Sequence, residues 1–321
     1  MKEKREEIIR VLPLSLRNVL RRLPMDYEKL QEIRLRIGCP VVLVYDNEER
    51  FISCDNNLCR EPQEWYRVTA SDIKESMDYI SNYSMYAFEE ELRQGFITIQ
   101  GGHRIGIAGK TVVKGEKVHN IRHISFINIR LSHQVMGCAD SVIPYVLDND
   151  KVYHSLIISP PKCGKTTLLR DLIRQLSNGG PGWAGKNIGV VDERSELGAC
   201  YLGVPQNDLG IRTDVLDCCP KAEGMMMLIR SMSPEIVAVD EIGSKEDLEA
   251  IDYVMNCGCI LLATVHGRDI DDIKQKPILG QMVREKRFNR YLVLSHQGGV
   301  GHLKEVFDER GTVLYTDGGA I

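Results

Sequence analysis

The sequence predicts an α/β protein in two parts, a smaller α+β domain followed by a mainly parallel sheet covered by helices on both faces. Three observations carry this. The first 132 residues hold short alternating runs punctuated by glycine, as in antiparallel sheets. After residue 150 the apolar runs become continuous and alternate with helical patterns, as strands buried on both faces require. At 321 residues the chain also exceeds the size at which one core stops growing, about 250–300 residues. The expected boundaries are 1–132 for the first domain, 133–150 for a linker helix, and 151–321 for the second domain.

In order along the chain, Ile8, Val11, Leu12, Leu16, Val19, Leu20 and Leu23 recur at helical spacing and predict one amphipathic helix over 2–22, with a modest basic excess on its polar face. Glu32–Ile37 and Pro40–Tyr45 read as a hairpin. Thr69-Ala-Ser-Asp72 resembles a capping box, opening a helix that carries Ile73, Met77 and Ile80, with a second helical run through Phe88 and Leu92 that Gly95 ends. Phe96–Gln100, Arg104–Ala108, Thr111–Val113 and Ile124–Leu131 read as antiparallel strands. A helix is expected around Ala139–Leu147.

Beyond it, Ile188–Val191, Ile236–Val239 and Ile260–Val265 read as strands, and Met225–Met232 and Glu246–Met255 as intervening helices. Three glycine-punctuated strands after Arg290 suggest an antiparallel extension. Composition narrows the function class. A net charge of −4, a pI near 6.1 and 6% aromatic residues speak against nucleic acid as the partner. Ten scattered cysteines without metal spacing suit reduced thiols in a cytoplasmic protein. No apolar run reaches the roughly 18 residues of a membrane span, and the charged N-terminus lacks a signal-peptide core.

The chemistry centres on Tyr153–Leu169, an apolar strand, a tight loop and an amphipathic helix. Ser159-Pro160-Pro161-Lys162-Cys163-Gly164-Lys165-Thr166-Thr167 matches a phosphate-binding loop in which serine replaces the first glycine. Loop N–H groups and the helix N-terminus attract phosphates, a lysine spans the β- and γ-phosphates, and the first hydroxyl ligates Mg²⁺. This assigns ATP and Mg²⁺ as ligands, with Thr166 on the metal.

Ligands in open parallel sheets bind beyond the carboxyl ends of strands, and three such ends carry polar residues. Asp240-Glu241 follows a strand as a Walker B element does, with Asp240 for Mg²⁺ and Glu241 for the attacking water. Asp192-Glu193 ends a second strand and supplies two alternative bases. His266 ends a third, where it can sense the γ-phosphate.

Leu228–Gly243 and Ala263–Gly267 resemble the Walker B and His-box regions of the type II/type IV secretion and pilus ATPases. Glu32–Gly38, Gly101–Gly106, Ile127–Arg130, Ser159–Asp171, Val191–Glu196 and Gly210–Leu216 resemble, in the same order, a sporulation branch of that superfamily. The resemblance implies a RecA-like P-loop ATPase domain behind the smaller one, and a ring, expected to be a homohexamer. It further implies a cytoplasmic ATPase held at a membrane by integral membrane proteins of a sporulation channel, which ATP hydrolysis energises. It carries Lys165 and Thr166 onto the Walker A contacts, Asp240 and Glu241 onto the Walker B pair, and His266 onto the His box. The acid of the Asp box is Asp192 by alignment or Glu193 by proximity. Arg104 and Arg130 match arginines that reach the γ-phosphate in the secretion ATPases. The alternatives are a RecA- or helicase-like motor on nucleic acid and a nucleotide-dependent scaffold with little turnover.

Overall fold

Alternation of buried and exposed residues organises the first part of the chain. The computed structural model describes residues 2–62, 66–84, 91, 95–115 and 117–318. It divides into two compact units, Met1–His133 and Gln134–Ile321.

Unit 1 is a seven-stranded sheet in the order β4-β3-β2-β1-β7-β6-β5, antiparallel throughout. The strands are β1 (Leu30–Arg36), β2 (Val42–Tyr45), β3 (Glu48–Ile52), β4 (Leu58–Cys59), β5 (Phe96–Thr98), β6 (Arg104–Lys114) and β7 (Lys117–Arg130). Because side chains alternate across a strand, Ile33, Leu35, Ile105, Ile107, Ile127 and Ile129 share one face. There they form a single core with Ile8, Leu12, Leu16 and Leu20 from the N-terminal helices and with Ile73, Met77 and Ile80. The polar residues between them, Arg34, Arg104 and Arg130 included, belong to the opposite face.

The hairpin pairs as its sequence implies, with Ile33 opposite Leu43. The capping box holds Ala70–Ile80 at its start: Thr69 Oγ1 accepts from the Asp72 N–H at 3.2 Å, and the Asp72 carboxylate accepts from the Thr69 N–H at 2.8 Å. Two expectations change. The single N-terminal helix is two, Lys2–Arg10 and Leu14–Arg22, because Pro13 stands extended at the second N-cap and has no N–H to continue the first. Arg104–Ala108 and Thr111–Val113 are one strand, irregular between Ala108 and Lys110. The helical run through Phe88 and Leu92 lies outside the described residues.

Unit 2 has a short antiparallel ribbon, β8 (Leu147–Asp148) with β9 (Lys151–Val152), and an eight-stranded sheet, β12-β11-β13-β14-β10-β15-β16-β17. Its strands are β10 (Ser155–Ser159), β11 (Ile188–Asp192), β12 (Thr213–Asp217), β13 (Ile236–Val239), β14 (Ile260–His266), β15 (Arg290–Leu294), β16 (Leu303–Asp308) and β17 (Val313–Thr316). Pairing is parallel from β12 to β15 and antiparallel from β15 to β17. Ile157, Val190, Ala238, Leu262 and Leu292 pack on one face against Leu168, Leu172 and Leu176 of the helix Lys165–Asn178. Leu156, Ile158, Val191, Val237, Val239 and Leu261 pack on the other, against Met225, Leu228, Ile251 and Val254 of the helices Lys221–Ser231 and Lys245–Asn256. Continuous apolar strands are what two covered faces demand.

The expected linker helix is reduced to Ile143–Val146, and the segment is no free connection. Ala139, Val142, Ile143 and Val146 are buried in the core of unit 2. The Ala139 N–H donates to the buried Asp171 carboxylate at 2.9 Å, fastening the segment to the helix Lys165–Asn178. All ten cysteines are free thiols. Among the described residues no helix is long and apolar enough to cross a membrane.

Candidate nucleotide site

The phosphate loop leaves β10 at Ser159, whose side chain is fully buried and donates its Oγ–H to the Pro160 carbonyl at 2.7 Å. A serine fits in place of the usual glycine because its hydroxyl is satisfied by the loop itself. Pro160 and Pro161 carry no N–H, so the donors left to a phosphate begin at Lys162. Lys162 and Gly164 both have left-handed backbones, φ 64° and 89°, which turn the chain tightly into the helix that starts at Lys165. Cys163 is buried and its carbonyl accepts the Gly301 N–H at 2.8 Å.

Parallel pairing brings the other strand ends alongside, with Ser159 next to His266. Thr166 Oγ1 donates to Asp240 Oδ2 at 2.7 Å, and Lys165 Nζ stands 3.8 Å from Asp240 Oδ1 and 3.7 Å from Glu241 Oε2. Thr264, buried in β14, joins the two acids: its Oγ1 donates to Asp240 and accepts the Glu241 N–H. Glu241 has a left-handed backbone, φ 55°, unusual for a residue with a side chain. Its carboxylate also meets His266 Nε2 at 3.3 Å and Arg194 Nη1 at 3.4 Å. His266 Nδ1 is buried without a hydrogen-bond partner. A pocket of about 530 Å³ adjoins Glu241 and His266 and takes Lys221 and Lys276 into its wall.

The three candidate bases therefore part company. Only Glu241 meets Lys165. Glu193 ion-pairs with Lys221. Asp192 is 1% exposed, and its two oxygens accept the N–H groups of Glu196, Leu197 and Gly198 at 2.8, 2.9 and 2.8 Å. Burial pushes its pKa up to about 6, against the pull of those N–H donors and with a further push from Asp217. With both oxygens engaged, Asp192 holds a loop in shape. Arg170, on the helix after the phosphate loop, clamps the same loop by donating to the Glu196 and Leu197 carbonyls at 2.7 and 3.1 Å. That half-buried arginine lies within the Ser159–Asp171 stretch, but nothing in its spacing marks it as a clamp on a distant loop.

The donor set suits a hydrated Mg²⁺, which takes one or two protein oxygens and completes its octahedron with water and phosphate. Thr166 and Asp240 are hard oxygen donors already in contact. Among the described residues no group of three or more His, Cys, Asp or Glu side chains forms an all-protein metal cage.

Arg104 and Arg130 belong to unit 1, directly opposite each other on β6 and β7. The Arg104 guanidinium lies 3.9 Å over the Phe96 ring, and Arg130 Nε is 3.7 Å from Glu32 Oε1 with most of its side chain exposed.

A family model described as sporulation stage III, protein AA, matches residues 2–314. The chain is 42% identical over 309 residues to the stage III sporulation protein AA of Bacillus subtilis (strain 168), covering 96% of each. Among solved structures it is similar to the ATPase DotB of Legionella pneumophila, with a TM-score of 0.54 and 14% identity over 83% of this chain and 72% of that one. It is also similar to the pilus retraction motor PilT solved with ADP, with a TM-score of 0.55 and 15% identity over 85% and 77%. At those identities the likeness establishes the secretion-ATPase fold, a RecA-like P-loop domain behind a smaller α+β one. The chain thus belongs to the sporulation stage III protein AA family.

Proposed function

We propose that this protein is a Mg²⁺-dependent ATPase that energises a secretion-like channel assembly in the membranes between mother cell and forespore. The observation that supports it most is the meeting of Lys165 and Thr166 with Asp240 and Glu241, a lysine, a hydroxyl and two carboxylates at the end of one sheet. In this reading the N–H groups from Lys162 to Thr167 and the Lys165 ammonium bind the phosphates, and Thr166 and Asp240 hold the metal. Bound Mg²⁺ neutralises charge on the β- and γ-oxygens. Glu241 accepts the proton of the attacking water at a carboxylate oxygen, and His266 steadies that carboxylate. The family and the fold favour a homohexameric ring. They also favour a cytoplasmic position at the membrane, through integral membrane proteins of the channel.

Calorimetry and phosphate release test the chemistry together. Lys165→Ala is expected to abolish tight Mg·ATP binding, whereas Glu241→Gln keeps affinity within a few-fold and loses turnover by at least about a hundredfold, as loss of general base catalysis does. Unchanged ATP affinity in the lysine variant would remove the loop assignment. Binding without turnover in the unmodified protein would favour a nucleotide-dependent scaffold.

A further inference from the structure

The loop after β11 is fixed at several points, yet it sends a cation out of itself. Its backbone is fastened on both sides of Arg194: by the three N–H groups that Asp192 accepts, by the clamp of Arg170 on the Glu196 and Leu197 carbonyls, and by Ser195, 2% exposed, whose Oγ accepts the Cys200 N–H at 3.1 Å. Glu193 is tied to Lys221. The Arg194 side chain is 65% exposed and reaches Glu241, 47 positions further along the chain. An exposed ion pair adds little to stability, so stability alone does not account for an anchored loop behind this one.

Arg194 Nη1 and Lys165 Nζ meet the same carboxylate oxygen, Glu241 Oε2, at 3.4 and 3.7 Å, while His266 Nε2 takes the other oxygen. The two cations therefore stand no further apart than those distances laid end to end, a gap that one phosphoryl group spans with a charge-assisted hydrogen bond at each side. A lysine in such a loop attends the β- and γ-phosphates, so the group within reach of both cations is the γ-phosphoryl. Resting on the nucleotide-binding reading above, we propose that Arg194 is a γ-phosphate ligand supplied by the same chain as the phosphate loop, and that the anchored loop after β11 serves to present it. Its guanidinium fork suits two phosphoryl oxygens at once. A bound triphosphate draws both cations from Glu241 Oε2 and frees that carboxylate for the attacking water. A diphosphate ends one group short and leaves Arg194 on Glu241. This role is separate from any played by Arg104 and Arg130, which belong to unit 1.

Calorimetry of the full-length chain in the Glu241→Gln background tests the proposal. That variant is expected to bind Mg·ATP without turning it over, and it has no carboxylate through which Arg194 can act indirectly. Adding Arg194→Ala should weaken Mg·ATP at least about tenfold, the scale of a hydrogen bond between charged groups, and leave Mg·ADP within about twofold. Unchanged Mg·ADP affinity also shows that the variant folds. Arg194→Lys, which keeps the charge and loses the fork, should recover part of the ATP affinity. Equal effects on the two nucleotides, or no effect on either, overturn the role of Arg194 and leave the nucleotide site standing. So does a loss of Mg·ATP affinity that appears only when Glu241 is present, since Arg194 then acts by neutralising that carboxylate. Binding of neither nucleotide by Glu241→Gln overturns the nucleotide-binding reading as well.

Discussion

Glu241 shows how one residue is held for chemistry. Its left-handed backbone is of a kind that costs about 1–3 kcal/mol and persists where surrounding contacts enforce it. The enforcing contact is the bond from its N–H to Thr264 Oγ1, which also ties Asp240. Thr264→Val keeps the shape but orphans that N–H, a loss of about 1–3 kcal/mol. Turnover should fall by about tenfold or more with Mg·ATP affinity within a few-fold, again on the scale of that lost bond; unchanged turnover would mean Glu241 is held by other means. Asp192 makes a different prediction. Its pKa, raised to about 6 by burial, lies above the unfolded value near 3.9. The contribution to stability is therefore fully present below about pH 4 and lost as pH rises through about 6. The size is on the order of 2–3 kcal/mol. Asp192→Asn should flatten this part of the pH–stability curve between about 4 and 6, measured by urea unfolding. An unaltered curve would show that the carboxyl does not titrate there.

At the scale of elements, caps decide where helices begin. Ser244 and Asp247 cap the helix Lys245–Asn256 reciprocally, three residues after Glu241, and Asp247 also accepts the Gly243 N–H at 3.0 Å. Ser244→Ala should cost about 1 kcal/mol, a Tm fall of about 2–4 °C. Scanning calorimetry checks it, and no change would show that Asp247 alone suffices. Thr69–Asp72, the same device, was legible because both partners lie within four residues. Pro13 was equally legible, yet the apolar spacing runs across it and points to one helix where the backbone makes two. The edge strand β12 escaped periodicity: its residues are half-buried or exposed, so it carries no apolar run, and pairing with β11 alone defines it.

For the whole molecule, the cores of the two units are separate sets of residues. For Arg104 and Arg130 of unit 1 the resemblance to the secretion ATPases raises the expectation of a contact with the γ-phosphate, which substitution tests. A guanidinium supplied there is worth about 10³–10⁵ in rate where enzymes use one. Replacing either by alanine should leave Mg·ATP affinity within a few-fold and cut turnover at least about tenfold. If the arginine acts between subunits, mixing Arg130→Ala with Lys165→Ala chains restores part of the activity, since some interfaces then join an intact loop to an intact arginine. Full activity in both single variants would leave these arginines to their contacts with Phe96 and Glu32.

By itself the sequence determined what is local. Strand and helix periodicities, the loop from Ser159 to Thr167, and acids at the ends of strands are written within a few residues of one another, and motif order along the chain carried the family. The tertiary structure alone decided which acid meets the lysine. Asp192-Glu193 and Asp240-Glu241 look alike in sequence, each pair closing an apolar strand. Sheet order separates them: Asp240 reaches Thr166 across 74 positions of chain, whereas Asp192 faces the N–H groups of its own following loop. The closeness of the turn at Val300 to the phosphate loop is likewise invisible until β15 pairs with β10. The physical reason is the same in both cases: hydrogen bonding between strands distant in the chain sets a side chain's neighbours, and local pattern holds no record of that pairing.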